Sequence, residues 1–160
     1  MESWEERSNE VKNLLNPAFC GRLLFEAVKG YEENVKDAMP FPLVYLVLPL
    51  VLHKRTREKI NCRTAFINWV QSNPNVLIGF KRRTGDLVDI TNLAVEFMLQ
   101  TEYFQITEEG KLETGNKKLS TTKSNNMDVK ECLKKAKHVG KWFASNSRVD
   151  NIFIALGVKP

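Results

Sequence analysis

The chain has 160 residues, 42% of them hydrophobic, and a formal net charge of +5. That length and apolar content give one folded domain over 1–160 and exclude an intrinsically disordered protein. Cys20, Cys62 and Cys132 stand far apart with no CxxC, which excludes a disulfide framework or thiolate zinc site and points to a reduced, cytoplasmic compartment.

The acidic start, Met1 to Arg7, lacks an apolar segment, so no signal peptide is expected. Glu2 to Asn16 predicts an amphipathic helix with Trp4, Val11, Leu14 and Leu15 on its apolar side. Asn16 and Pro17 then read as the cap and first residue of a second helix, ending near Val35. Its stripe is Phe19, Leu23, Ala27 and Gly30, with Leu24, Val28 and Tyr31 beside it. Pro40 and Pro42 open a wholly apolar helix from Met39 to Leu52, kinked at Pro49. This run is too short for a bilayer, which needs about 20 apolar residues. It is either a core helix or in part a surface that another protein covers, with Phe41, Leu43, Tyr45 and Leu46 as interface candidates.

Asn61 to Ser72 predicts a helix with Phe66, Ile67 and Val70 inward. Asn73 and Pro74 cap a successor, Asn75 to Arg83, and Thr84-Gly85-Asp86 supplies a turn. A further helix runs from Asp89 to Thr101. Tyr103 to Thr107 alternates like a strand, turns at Glu109-Gly110 and returns over Lys111 to Thr114. Helix, turn, helix and hairpin is the order of a winged helix-turn-helix. The fold class is therefore mainly α with a small β-hairpin, a winged-helix-like core at 61–118 and flanking N- and C-terminal helices. Gly115 to Asn126 is a polar loop. The C-terminal helical segment, 127–157, holds a long helix, Met127 to Asn146, with Val129, Leu133, Ala136, Gly140 and Phe143 inward, then a short one, Asp150 to Leu156.

Chemistry is sparse. His53 and His138 lack companions at metal-ligand spacing, and no phosphate loop, dinucleotide fingerprint or nucleophile elbow is present. Cys62 stands beside Arg63 without an inferable base, and the paired acids sit at turns and caps. The expectation is no enzyme, no cofactor and no metal.

In a winged helix the second helix reads base edges with Arg, Lys, Asn or Gln. Here Asp89 to Thr101 has no Arg or Lys and carries two acids, while Leu93 and Phe97 make it a candidate protein surface. The positive charge lies elsewhere, with ten Lys or Arg against three acids over 111–148. Lys130, Lys134, Lys137 and Lys141 share one helix face, and Lys117, Lys118 and Lys123 precede it. His53, Lys54, Arg55 and Arg57 form a second basic group, and Lys81, Arg82 and Arg83 a third. All are candidates for sequence-independent DNA contact, against the alternative of a solvated face.

Three blocks together resemble a known family. They are Asn16-Pro17-Ala18-Phe19-Cys20 with Phe41 to Arg57, then Asn73 to Phe80, then Val139 to Ala144 with Ile152 to Pro160. In this order the chain, from Asn16 onward, resembles the middle component of bacterial three-component ABC systems. The resemblance implies a small non-enzymatic adaptor with a winged-helix-like region, without catalytic residues or cofactor. It would act beside an SMC/Rad50-like ABC ATPase and an effector subunit, often a nuclease, in a system similar to Lamassu-type anti-phage and anti-plasmid defence. Double-stranded DNA would be met through the complex. The lysine-rich stretch from Lys111 to Lys130 departs from the family's pattern. The alternative is a DNA-binding module that uses the lysine face; an operator-reading regulator is disfavoured by the missing basic residues in Asp89 to Thr101.

Overall fold

The computed structural model describes residues 15–119, 125–146 and 148–159. The expected helix over 2–16 falls outside the described residues up to position 14, and Lys123 also lies outside them.

Helix α1 spans Pro17–Val35 and α7 spans Met127–Ala144, and both begin alike. The Asn16 side-chain oxygen accepts from the N–H groups of Ala18 at 2.8 Å and Phe19 at 3.4 Å. Asn126 does the same for Asp128 at 2.9 Å and Val129 at 3.4 Å. Each cap satisfies donors that a first turn leaves without helical partners. The two helices then pack along each other at Ala27, Gly30, Ala136 and Gly140. A Cβ at Gly140 would run into the Ala27 carbonyl, and one at Gly30 into the Lys137 carbonyl.

The apolar run lies in the middle. A 3-10 turn, Phe41–Leu43, leads into α2, Val44–Val51, which touches α1, α7 and α6, Val88–Gln100, as well as the two shorter helices α3, Lys54–Lys59, and α5, Phe80–Asp86. Leu46, Val47, Leu48, Leu50 and Val51 have no exposed surface. Each such side chain contributes about 1.5–3 kcal/mol relative to exposure. The run is thus the core helix, and Leu43 and Leu46 are withdrawn as interface candidates because the fold itself covers them. Pro49 lies within α2, and the helix ends two residues later.

The helix expected from Asn61 begins only at Phe66, as α4, Phe66–Ser72. The preceding carbonyls point elsewhere. The Lys59 carbonyl accepts from the Trp69 indole at 2.7 Å, Ile60 from the Lys135 ammonium, and Thr64 from the Trp142 indole at 2.9 Å. Within α4 the buried face is Phe66, Trp69 and Val70; Ile67, expected inward, is exposed. Phe66 and Trp69 pack with tilted rings against Trp142 at 5.6 and 4.9 Å, which fixes α4 on α7.

Two further expectations are corrected. Asn73 does not cap a helix with its side chain; it donates to the Trp69 carbonyl, and Pro74–Leu77 forms a 3-10 turn. Thr84-Gly85-Asp86 is helical, forming the end of α5. There the Thr84 hydroxyl donates to the Phe80 carbonyl at 3.0 Å, and the Leu87 N–H returns to Arg83 at 3.0 Å. Only Leu87 separates α5 from α6, Val88–Gln100.

After α6 the chain pairs β1, Phe104–Ile106, with β2, Leu112–Thr114, antiparallel, setting Gln105 opposite Glu113. Met39 bridges Leu112, and Glu32 accepts from the Thr114 N–H at 2.7 Å and hydroxyl at 2.9 Å. The hairpin is therefore held on the end of α1. Helix α8, Val149–Ala155, completes a mainly helical fold with one small antiparallel sheet. In α7 the buried positions are Cys132, Ala136, Val139, Gly140, Trp142 and Phe143, while Val129 and Leu133 are half-buried. No described helix is long and apolar enough to cross a membrane.

Candidate functional site

Two concave surfaces gather residues singled out by the sequence. The first is an apolar groove of about 490 Å³ between the 3-10 turn before α2, the α5–α6 joint and the residues after α8. Its floor is Phe41, Pro42, Tyr45, Val88, Phe153 and Val158, with Lys81 and Lys159 on the rim. Phe41 and Tyr45 pack ring to ring at 6.1 Å, and the Tyr45 hydroxyl donates to Asn92 Oδ1 at 2.6 Å. That bond holds the Tyr45 ring between α2 and α6. Both aromatic residues were sequence candidates, whereas Phe153 and Val158, contributed by the chain's far end, were not. Leu93 and Phe97 are exposed on α6, one turn apart.

The second surface is a polar pocket of about 470 Å³ lined by His53, Arg55, Thr56, Lys59, Asn75, Val76, Ile78 and Arg83. The fold merges here two basic groups that are separate in sequence. His53 precedes α3, and its Nδ1 lies 2.8 Å from the Thr56 hydroxyl. Arg83 reaches back from α5, donating to the Ile78 carbonyl at 3.1 Å and towards Thr56 Oγ1 at 3.4 Å. The Phe80 ring lies 5.5 Å beneath its guanidinium. Burial, then the charges of Arg83 and Arg55, push His53 below the usual histidine range, and burial lowers Arg83 as well. Lys59 and Asn75 are additions to the sequence reading. Lys59 lies four residues beyond Arg55, so helical spacing alone could have placed them together.

The other basic candidates disperse. Arg57 is buried, donating to the Val51 carbonyl at 3.0 Å with Glu131 at 3.8 Å, so it is a core tie and not a DNA contact. Lys54 and Arg82 are exposed and pair with Glu58 and Asp86 on their own helices. On α7, Lys130 and Lys134 are exposed, Lys137 pairs with Glu33 at 3.3 Å and Lys141 is half-buried. Lys117 lies 6.0 Å from the Tyr103 ring, and Lys118 is exposed.

A larger hollow of about 690 Å³ opens where α1 and α7 begin, beside Phe19, Leu52, Arg57 and Val129. Among the described residues, no three His, Cys, Asp or Glu side chains gather as metal ligands would.

No curated protein and no solved structure matches the chain. A family does: the model described as ABC-three component (ABC-3C) system Middle Component 3 matches residues 4–160. The match covers nearly the whole length, including the helices that build both concave surfaces, and the chain belongs to this family of middle components of ABC-three component systems.

Proposed function

We propose that the chain is a non-enzymatic adaptor that bridges an SMC/Rad50-like ABC ATPase and an effector such as a nuclease. In this reading the complex is a Lamassu-like anti-phage or anti-plasmid system, and the adaptor couples DNA sensing to effector activation. The observation that carries it is the open apolar groove at Phe41, Tyr45, Val88 and Phe153 on a member of a middle-component family. Exposed concave apolar surface favours a protein neighbour. Lys81 and Lys159 on the rim suit a partner segment that pairs an apolar anchor with acidic residues. The order α5, α6, hairpin supports a winged-helix-like core. Its hairpin tip carries Glu108 and Glu109, and its second helix Asp89 and Glu96, all exposed, which favours protein over a phosphate backbone.

The test is co-purification of the tagged chain with the other components, with nuclease present to remove DNA bridges. Tyr45→Glu with Phe41→Glu should release the partner while circular dichroism stays unchanged. Retention of the partner by this folded variant would remove the groove from the interface, and failure of the unaltered chain to recover any component would sink the adaptor reading.

The second reading, sequence-independent DNA binding by the α7 lysines, is favoured by the exposure of Lys130 and Lys134. It predicts similar affinity for unrelated duplexes, falling steeply with salt, and loss of binding on Lys130→Glu with Lys134→Glu.

A further inference from the structure

The pocket between α3 and α5 collects positive charge that no described carboxylate neutralises. Several cations elsewhere are paired: Lys54 with Glu58, Arg57 with Glu131, Arg82 with Asp86, Lys111 with Asp37 and Lys137 with Glu33. Arg55, Lys59 and Arg83 have no ion-pair partner among the described residues, and no carboxylate lines the cavity they share. A single unpaired surface cation is ordinary. Three converging on one concavity with a histidine repel one another; burial chiefly lowers the basicity of His53, and the charges of Arg83 and Arg55 add to it.

The cavity is also built rather than incidental. The carbonyls of Val76 and Ile78 and the Thr56 hydroxyl set the plane of the Arg83 guanidinium, and Phe80 supports it from below. Less ordering is then lost when it meets an anion. Thr56 and Asn75 add neutral polar groups to the wall. At the rim Ile78 leaves 72% of its surface exposed, an apolar ledge beside a cationic floor. A lone carboxylate offers one charge to this set of cations. A phosphate offers up to two charges and three acceptor oxygens, and in a nucleotide it carries a flat apolar base beside it.

We propose that this pocket binds the phosphate group of a nucleotide or nucleic-acid strand, held by Arg55, Lys59 and Arg83, with Ile78 against the adjoining nucleoside. The inference does not depend on the adaptor reading.

The experiment measures binding of the full chain to three probes at low salt: inorganic phosphate, adenosine monophosphate and a short fluorescein-labelled DNA duplex. Arg55→Glu with Lys59→Glu changes two exposed side chains and should leave the melting temperature alone, whereas Arg83 also ties α5 to the 3-10 turn and is left intact. The double variant should lose about tenfold or more in affinity for each probe, while Lys130→Glu with Lys134→Glu on α7 leaves binding of inorganic phosphate and adenosine monophosphate little changed. Binding of the monophosphate as tight as that of the duplex identifies a nucleotide site; binding of the duplex alone identifies a strand's backbone. Absence of binding to every probe at millimolar concentration overturns the proposal, as does loss of binding through the α7 pair with the pocket pair neutral.

Discussion

Arg57 carries a charge into the core, and its surroundings explain why it stays. Only 5% of its surface is exposed; one guanidinium nitrogen donates to the last residue of α2, and Glu131 on α7 lies close by. Truncation to Ala removes a charge-assisted bond from a buried carbonyl and leaves Glu131 without its counter-charge. The expected loss is about 2–3 kcal/mol in urea unfolding; a loss within the range of exposed lysine changes would show that the tie is dispensable. The three thiols separate just as cleanly by environment. Burial pushes Cys20 up to about 12 and raises Cys132, while Cys62 is exposed on the loop before α4. Native protein should therefore react with a maleimide at one position, Cys62, and with all three after unfolding. Modification of Cys132 at a similar rate would mean that the start of α7 opens readily. Neither Arg57 nor Cys62 could be sorted from sequence, since the cluster His53 to Arg57 looks uniformly basic and only the fold turns one of its members inward.

At the scale of elements, α1 and α7 cross with no room for a side chain at Gly140, whose Cβ would run into the Ala27 carbonyl. Gly85, at the exposed end of α5, has nothing within 4 Å of where a Cβ would stand. Helix propensity alone favours Ala over Gly by about 1 kcal/mol at either site. Packing reverses the sign at one of them. Gly85→Ala should stabilise by about 0.5–1 kcal/mol, while Gly140→Ala should cost about 2 kcal/mol because backbone must give way. Equal effects in thermal unfolding would refute the close approach. Both helices were legible beforehand, because a 3.6-residue stripe, joined at the first by the Asn16 cap, is a local signal, and the stripe named Ala27, Gly30, Ala136 and Gly140. The start of α4 was not legible. Its preceding carbonyls are claimed by Trp69, Lys135 and Trp142, and Trp142 lies 78 residues from Thr64. The turn at 84–86 was misplaced for a related reason, since the Thr84 hydroxyl and the Leu87 N–H keep helical partners despite Gly85. Arg55 and Arg83 meet only because the 3-10 turn brings α5 back to α3, so beyond the helical spacing of Arg55 and Lys59 the pocket had no signature along the chain.

For the whole molecule the titrating groups bound a range of pH over which the fold is most stable. His53 and His138 both lie below the ordinary histidine value of 6.5. Burial is the largest cause in each; Arg83 and Arg55 add to it at His53, and Lys141 and Lys135 at His138, where a contact with the Asn61 backbone opposes them. A base whose folded value is depressed binds fewer protons in the native state than in the unfolded one. Stability then falls as pH drops through 6.5 and stops falling once both folded values are passed. Asp37 acts in the same direction, held low by its bond to Lys111, but its contribution is lost only as pH falls below the ordinary value of 3.8. On the alkaline side, Cys20 and Cys132 are raised above their ordinary value of 9.0, chiefly by burial. The unfolded chain gives up those protons first, so stability declines as pH rises through 9.0. The melting temperature should accordingly be flat between about pH 7 and 8.5 and fall on both sides. Replacing both histidines with Gln should flatten the acid limb while sparing the alkaline one, and Cys20→Ala should do the reverse. An acid limb unchanged in the double histidine variant would place the proton uptake on carboxylates, and would remove His53 as a reporter of the charge gathered around Arg83.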